Sequence, residues 1–586
     1  MFSCCRKDLL VLPYQEMSSG STGSTFPRWQ LAILLSAPVA LTLGYLYYKR
    51  QSSVSENDER KKKFSKADKS VSIDGEEEKK VQNGPVKKEE PELTPLQQAM
   101  EAKNRGNEKY RLGKFDESIG FYGNAIDTCP HTNTTELATF YQNRAAAYEQ
   151  LKQWSSVRDD CTKALELNPK YVKAYNRRAK ANEHLQDLSN SLEDITATCI
   201  LEQFQNQSSI AFADRVLRVL GAQHATEAMK EKKPVLPSKH FVQSFCEAFN
   251  SDPLKDVAVA ASNPQGFMLA KIEFDRLNLD KVIPACSEEL SNERSEFKHL
   301  TLLLRGTMYQ LMGLFNEALE DFALLIGDSA VSAKIRVNAL IKRASIHVQL
   351  DRIEECFEDF AEAEKIDLVN PDIYYHRGQM YVLLQRLQEA LDDFEKTIKL
   401  VPDFGLGHVQ KLYVEYRNVM MENPMKSFQL LEKFRETTDR FPKCGECYSI
   451  MAQILTEQQQ YKEADQLFEK AIKMDQGNAA LYVHRGILQL QWRGDVDTAL
   501  QFLQEAITVD ERCEFAFETL ASIEVQRGNM DRAIELFDSA INLAKSETEL
   551  RHLFSLKDAA MAQLNVAARM GIEASSLSAL AASSLA

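Results

Sequence analysis

A pattern that recurs about every 34 residues runs through the sequence after Pro95. Each copy carries a small residue, an aromatic or apolar residue three positions later, a turn, and then an Ala followed four positions on by an aromatic residue. Gly378, Tyr381, Ala390 and Phe394 form one such copy. A unit of this length cannot bury its apolar face alone, so the period predicts an array of stacked repeats.

The composition favours helices with short connections. The chain of 586 residues holds only 23 Gly and 17 Pro, which is too few turn formers for an all-β fold. Its net charge of −14 argues against a nucleic-acid binder. The 11 Cys are scattered and odd in number, as expected for reduced thiols rather than a disulfide framework.

The repeat resembles the tetratricopeptide repeat, a helix–turn–helix unit in which small residues let the two helices pack closely. We therefore expect an all-α superhelix of about eleven repeats in two clusters. The clear copies cover 99–132, 138–171, 299–332, 337–370, 371–404, 445–478, 479–513 and 514–547, and weaker ones cover 172–205, about 266–298 and 405–442.

A membrane anchor is predicted near the N-terminus. Leu31 to Tyr48 is an uncharged, mostly apolar run of 18 residues, long enough as a helix to cross a bilayer core. Three basic residues precede the run and seven follow within 20 residues, which places the bulk of the chain in the cytosol. A cleaved signal peptide fits poorly, because Tyr-Tyr-Lys-Arg follows the run. The short span favours a thin bilayer, such as the mitochondrial outer membrane or the endoplasmic reticulum.

Together these patterns predict seven segments. They are an N-terminal segment at 1–30, a transmembrane anchor at 31–48, a disordered charged tether at 49–94, a domain of three repeats at 95–205, a helical linker or hinge at 206–265, a second array of about eight repeats at 266–547, and a capping helix with a tail at 548–586.

Five polar residues of the first three repeats form a candidate site for carboxylates. Lys103 and Asn107, Asn143, and Lys173 and Arg177 fall at positions where the first helix of such a repeat faces the concave groove. Lys and Arg supply charge-assisted donors, and Asn holds a carboxylate without adding charge. The set resembles the two-carboxylate clamp of co-chaperone repeat domains. That resemblance implies binding of the C-terminal Glu-Glu-Val-Asp of the seventy- and ninety-kilodalton heat-shock chaperones.

The layout of anchor, clamp and second array resembles the family of seventy-kilodalton import receptors of the mitochondrial outer-membrane translocase. Three stretches carry the likeness: Leu236-Pro-Ser-Lys-His-Phe-Val, Met312-Gly-Leu-Phe-Asn-Glu-Ala-Leu and Leu556-Lys-Asp-Ala-Ala-Met-Ala-Gln. The resemblance implies a single-pass outer-membrane receptor with its N-terminus in the intermembrane space. Such a receptor docks chaperone-bound hydrophobic precursors, such as inner-membrane carriers with internal targeting signals, and passes them to other translocase subunits at the pore.

For the precursor groove, the inward positions of the second array suggest a mixed aromatic and polar lining. The candidates are Lys342, Tyr375, His376, Gln379 and His484. The two histidines lack metal-ligand spacing, so we expect no metal and no cofactor.

Three other functions compete with the receptor. An enzyme with a repeat adaptor is disfavoured, because no nucleotide-binding or hydrolase motif appears and about 39 residues after the last repeat cannot form a catalytic domain. A clamp co-chaperone anchored on the endoplasmic reticulum shares every feature except the second array. A soluble scaffold with an apolar N-terminus would lack the membrane span.

Overall fold

The structure is a computed structural model that describes residues 93–257, 263–292, 294–422 and 427–573. The predicted segments at 1–30 and 31–48 and nearly all of the tether lie outside these residues. Among the helices of the described ranges, none combines the length and apolarity needed to cross a bilayer.

The described residues contain α-helices and short 3-10 turns, which confirms the all-α prediction. Regular helices follow one another through both predicted clusters. They are α1 Pro95–Arg111, α2 Phe115–Thr128, α3 Thr134–Gln150, α4 Trp154–Leu167, α5 Val172–His184, α6 Leu188–Leu201, α7 Gln207–Glu231, α8 Lys239–Glu247, α9 Gly266–Asp275, α10 Val282–Leu290, α11 Lys298–Leu311, α12 Phe315–Gly327, α13 Ala333–Gln349, α14 Ile353–Ile366, α15 Pro371–Leu383, α16 Leu387–Leu400, α17 Gly405–Glu422, α18 Ser427–Arg440, α19 Gly445–Glu457, α20 Tyr461–Met474, α21 Ala479–Arg493, α22 Val496–Val509, α23 Glu514–Gln526, α24 Met530–Leu543 and α25 Glu547–Met570.

The helices pack in successive pairs, as helix–turn–helix repeats do. α1 with α2, α3 with α4, and α5 with α6 form the first series, and the pairs from α9 with α10 to α23 with α24 form the second. The small residue of the repeat sets the spacing within a pair. A Cβ built on Gly106 would lie 2.7 Å from the ring of Tyr122, and one on Gly378 would lie 3.0 Å from the ring of Phe394. A larger residue would push the two helices apart.

A buried ion pair joins the two helices of many repeats. In each case an Arg on the first helix donates through Nε and Nη2 to both oxygens of an Asp sixteen residues later on the second helix. Such bidentate pairs are strong and fix the orientation of the partners. The five pairs with this spacing are Arg144–Asp160, Arg178–Asp194, Arg305–Asp321, Arg343–Asp359 and Arg377–Asp393.

The described chain divides into two compact units. One contains residues 93–220 and 558–573, and its core includes Val157, Ala164, Ala197 and Val566. The other contains residues 221–257, 263–292, 294–422 and 427–557.

Candidate functional site

The five clamp residues lie on the first helices of three consecutive repeats. Lys103 and Asn107 are on α1, Asn143 is on α3, and Lys173 and Arg177 are on α5, and α3 packs against both of the other helices. Asn143 Nδ2 donates to Asn107 Oδ1 at 3.5 Å, so the structure brings these two amides together. Each Lys precedes its partner by four residues and so shares its helix face.

Tyr122 of α2 positions the amide of Asn107 through a hydrogen bond. Its hydroxyl donates to Asn107 Oδ1 at 2.7 Å. Burial raises the pKa of the Tyr122 phenol, which keeps the hydroxyl protonated as a donor. The oxygen of Asn107 accepts from both Tyr122 and Asn143, so the hydrogen-bond donor of this amide is its nitrogen.

Arg177 forms an ion pair with Glu149, an acidic residue that is not among the five predicted site residues. Its Nε donates to Glu149 Oε2 at 2.6 Å, and its Nη1 donates to the carbonyl of Gln142 at 3.4 Å. Lys180 Nζ lies 3.7 Å from the other oxygen of Glu149. Glu149 is on α3 and Arg177 on α5, so the contact joins two repeats. A spacing rule within one repeat could not reveal it.

Lys103 and Lys173 present charges without a counter-ion from the described chain. Lys173 is exposed and Lys103 is partly exposed, and neither has an ion-pair partner among the residues that the structure describes. The three packed helices therefore carry two ammonium groups, a guanidinium and two amides, and the structure brings the two amides together. This donor set is suited to carboxylate groups of a ligand.

The five candidates for the precursor groove are all buried. Lys342 is 1% exposed, and its Nζ donates to Thr307 Oγ1 at 2.9 Å. The same Nζ lies 5.1 Å from the ring centre of Phe249 and 5.8 Å from that of Phe245, as a cation over aromatic faces. Burial lowers the pKa of Lys342, since the charged form loses its hydration.

The other three neighbouring candidates are buried in the same part of the array. His376 Nδ1 lies 3.1 Å from Gln379 Oε1, and the rings of His376 and Phe249 have centres 4.2 Å apart. Burial lowers the pKa of His376 to about 3, so the ring is neutral. Tyr375 packs edge-on against Phe404 with ring centres 4.9 Å apart.

Residues 238–257, which we call the inner segment, contact two of these candidates, Lys342 and His376. Within the segment, Phe245 and Phe249 contact Lys342 and His376 as described. Its backbone is also fixed, because the N–H groups of Asn250 and Ser251 donate to the two oxygens of Asp372 at 2.7 and 2.8 Å. Lys342 and His376 are therefore packed against the chain itself, and the assignment of the five candidates to a precursor groove stays a prediction.

The sequence contains one signal for the inner segment, outside the 34-residue repeat. Phe241, Phe245 and Phe249 follow one another at intervals of four. That spacing places them on one helical face, as expected for a segment that packs against the array.

His484 lies at a separate cavity. The cavity has a volume of about 80 Å³. His484 stacks near Phe468 at 6.2 Å between ring centres and lies 5.4 Å from the ring of Phe515. His484 therefore does not join the other four candidates in one patch. The cavity lining includes Ser238, His240, Phe241, His484, Phe515 and Lys545.

Comparison with known proteins identifies the repeat and a group of relatives. Models of the tetratricopeptide repeat match residues 371–404 and residues 445–478, the same ranges that the period predicts. The mitochondrial import receptor subunit TOM70 of Rattus norvegicus is 41% identical over 585 residues, covering 94% of both chains. The Homo sapiens TOM70 is 41% identical, covering 93% of both. A crystal structure of yeast Tom70 is 26% identical with a TM-score of 0.48, covering 80% of this chain and 96% of that one.

Proposed function

This chain belongs to the family of the mitochondrial import receptor subunit TOM70, and from that premise we propose that its clamp binds the C-terminal tails of heat-shock chaperones. The chain is a mitochondrial import receptor. In the proposal, the tail of a seventy- or ninety-kilodalton chaperone docks on α1, α3 and α5. The chaperone delivers a hydrophobic precursor to the second array, which passes it to other translocase subunits.

The observation that carries the proposal is that Lys103 and Lys173, two lysines without counter-ions among the described residues, lie on helices that pack against the helix of Asn143, whose amide contacts Asn107. A peptide that ends in Asp has two carboxylates on its last residue, and Glu-Glu-Val-Asp adds two more. Lys103 and Lys173 can each take one carboxylate, and the Asn107 and Asn143 amides can hold a third group without further charge. Since the ion pairs are partly exposed to water, we expect a micromolar affinity that weakens with salt.

Glu149 shapes how the tail reaches Arg177. Arg177 already has a carboxylate at 2.6 Å. A guanidinium has five N–H donors, so a ligand carboxylate can share Arg177 with Glu149 or replace it. In either case Glu149 holds the guanidinium at the site before the ligand arrives, and this lowers the ordering cost of binding.

The test is a calorimetric titration of the protein with a peptide ending in Glu-Glu-Val-Asp. We expect Arg177→Ala and Lys103→Ala each to weaken binding at least about tenfold, because each removes charge-assisted hydrogen bonds. Lys163→Ala is the matched control, since Lys163 is equally basic but pairs with Glu166 on the exposed side of α4. It should bind like the wild type. An amidated peptide tests the terminal carboxylate. Equal affinity of wild type and both clamp variants would exclude the clamp.

We also propose that the chain is anchored in the mitochondrial outer membrane by residues 31–48, with residues from 49 onward in the cytosol. The proposal rests on the apolar run, on the basic residues that follow it, and on the family. We further propose the predicted division into a clamp domain at 95–205, a linker at 206–265 and a second array at 266–547. We assign no catalytic activity to any of these parts. Imaging a fluorescent fusion of residues 1–70 tests the anchor. A reticular pattern would favour a co-chaperone of the endoplasmic reticulum.

A further inference from the structure

Two cysteines meet at the start of α19. Cys444 is the residue that caps the helix, and Cys447 lies in its first turn. The Sγ atoms of Cys444 and Cys447 are 2.7 Å apart, well inside the usual separation of two sulfur atoms that are not bonded. Cys444 is partly exposed, whereas Cys447 is buried. A reagent in water therefore reaches Cys444 first.

The position gives the two thiols different chemistry. The N-terminus of a helix stabilises a thiolate, and Cys444 is at that end. The hydrogen bond to Cys444 and, after it, burial raise the pKa of Cys447, which favours its protonated form. A disulfide has a sulfur separation of about 2.05 Å, so closure requires an approach of only roughly 0.7 Å.

We propose that Cys444 and Cys447 form a reversible oxidation site that a peroxide closes to a disulfide. The thiolate of Cys444 attacks one oxygen of hydrogen peroxide, and the O–O bond breaks to give a sulfenic acid and hydroxide, which takes up a proton. The sulfur of Cys447 then attacks the sulfur of Cys444. The S–S bond forms, the S–O bond breaks, and the hydroxyl leaves as water with the proton of Cys447.

The step balances without another reactant. Two thiols lose two electrons and two protons, and hydrogen peroxide becomes two molecules of water. A dithiol reverses the reaction by thiol–disulfide exchange, so the site is reduced at rest in a reducing compartment. The closed form joins the residue before α19 to its first turn. Cys447 Sγ also lies 3.8 Å from the carbonyl of Gly405, the first residue of α17. Formation of the disulfide therefore changes the contact between α17 and α19.

The experiment uses the full chain. Protein is treated with hydrogen peroxide, unreacted thiols are blocked with a maleimide, and trypsin releases residues 444–462 as one peptide that holds both cysteines. We expect this peptide to lose two hydrogen atoms and its maleimide labelling to fall at least about tenfold, with dithiothreitol restoring both labels. The Cys447→Ser variant should instead accumulate a sulfenic acid on Cys444.

Cys513 is the matched internal control. It also caps a helix, α23, and is partly exposed, but Ala516 occupies the position three residues later. Trypsin places it in a separate peptide, 513–527. If the Cys513 peptide loses its label at a dose that leaves both labels on 444–462, the proposal is wrong. Conversion of Cys444 to a sulfinic acid in the wild type, with Cys447 still labelled, would also overturn it.

Discussion

Replacement of Asp194 by Asn tests how the buried Arg–Asp pairs support the clamp. Asp194 is 1% exposed, and its carboxylate accepts from Arg178 Nε at 2.8 Å and Arg178 Nη2 at 2.7 Å. It also accepts from Asn182 Nδ2 at 3.2 Å and lies 3.9 Å from Arg569 Nη2 of α25. Asp194→Asn keeps the shape of the side chain and removes its charge. Arg178 of α5 and Arg569 of α25 lose the counter-ion that α6 supplies to both.

The cost follows from the charge left behind. The side chain of Arg178 is 15% exposed and stays protonated, so the variant leaves a guanidinium largely out of water beside a second one, Arg569. Removal of one partner of a buried pair costs about 3–5 kcal/mol of unfolding free energy. Burial raises the pKa of Asp194 despite the opposing effect of Arg178, and replacing both partners of a buried pair by apolar residues is often neutral. The double change Arg178→Met with Asp194→Leu should therefore recover most of the loss.

Urea denaturation followed by circular dichroism measures the free energy, and hydrogen exchange of α5 and α6 locates the loss. Glu166→Gln is the control, because Glu166 belongs to an exposed pair with Lys163 and should leave the midpoint unchanged. While folded, the Asp194→Asn protein should bind the chaperone tail like the wild type, since Glu149 still holds Arg177. A decrease of less than about 1 kcal/mol in the free energy of unfolding would refute the reasoning, because a buried charge without its partner destabilises the fold by more than that.

Burial raises the pKa of Glu457 to about 7 from 4.5, so its contribution to stability is full below pH 4.5 and is lost as the pH rises through 7. Glu457→Gln should flatten the fall of Tm between about pH 5 and pH 8, and an unchanged slope would contradict this. Lys342→Met should leave the affinity for a carrier-derived peptide unchanged, because Lys342 is 1% exposed and contacts the inner segment. Weaker binding at constant Tm would instead place Lys342 in contact with the precursor. Gly106→Val should lower the free energy of unfolding in urea by about 1–3 kcal/mol, because the new side chain displaces Tyr122. It should also weaken tail binding, because Tyr122 then loses its hydrogen bond to Asn107. Unaltered tail binding would contradict the role of Tyr122 at the clamp.

The repeat period was enough to predict the fold because its residues make their contacts within one repeat. Gly378 and Phe394 belong to one repeat, and their close approach is required wherever the pattern occurs. The inner segment was not predictable in the same way. It does not repeat, and its place over Lys342 and His376 depends on contacts between parts of the chain more than ninety residues apart. A groove inferred from inward positions alone could not show that the chain itself covers them.

The clamp shows the same contrast at two adjacent arginines. Arg177 and Arg178 are neighbours on α5, and charge alone does not distinguish them. Arg178 has an Asp sixteen residues later and pairs with it inside its repeat, as four other arginines do, whereas Arg177 has Glu193 at that spacing and pairs across repeats with Glu149. The five arginines that pair with an Asp at this spacing are therefore structural, whereas Arg111 has Asp127 at the same spacing without forming such a pair among the described residues. Removing such arginines from the basic residues of the first helices sharpens the sequence prediction. In the first three repeats this assignment removes Arg144 and Arg178 and retains the three clamp cations Lys103, Lys173 and Arg177, together with Arg105, Lys109, Arg111 and Lys180.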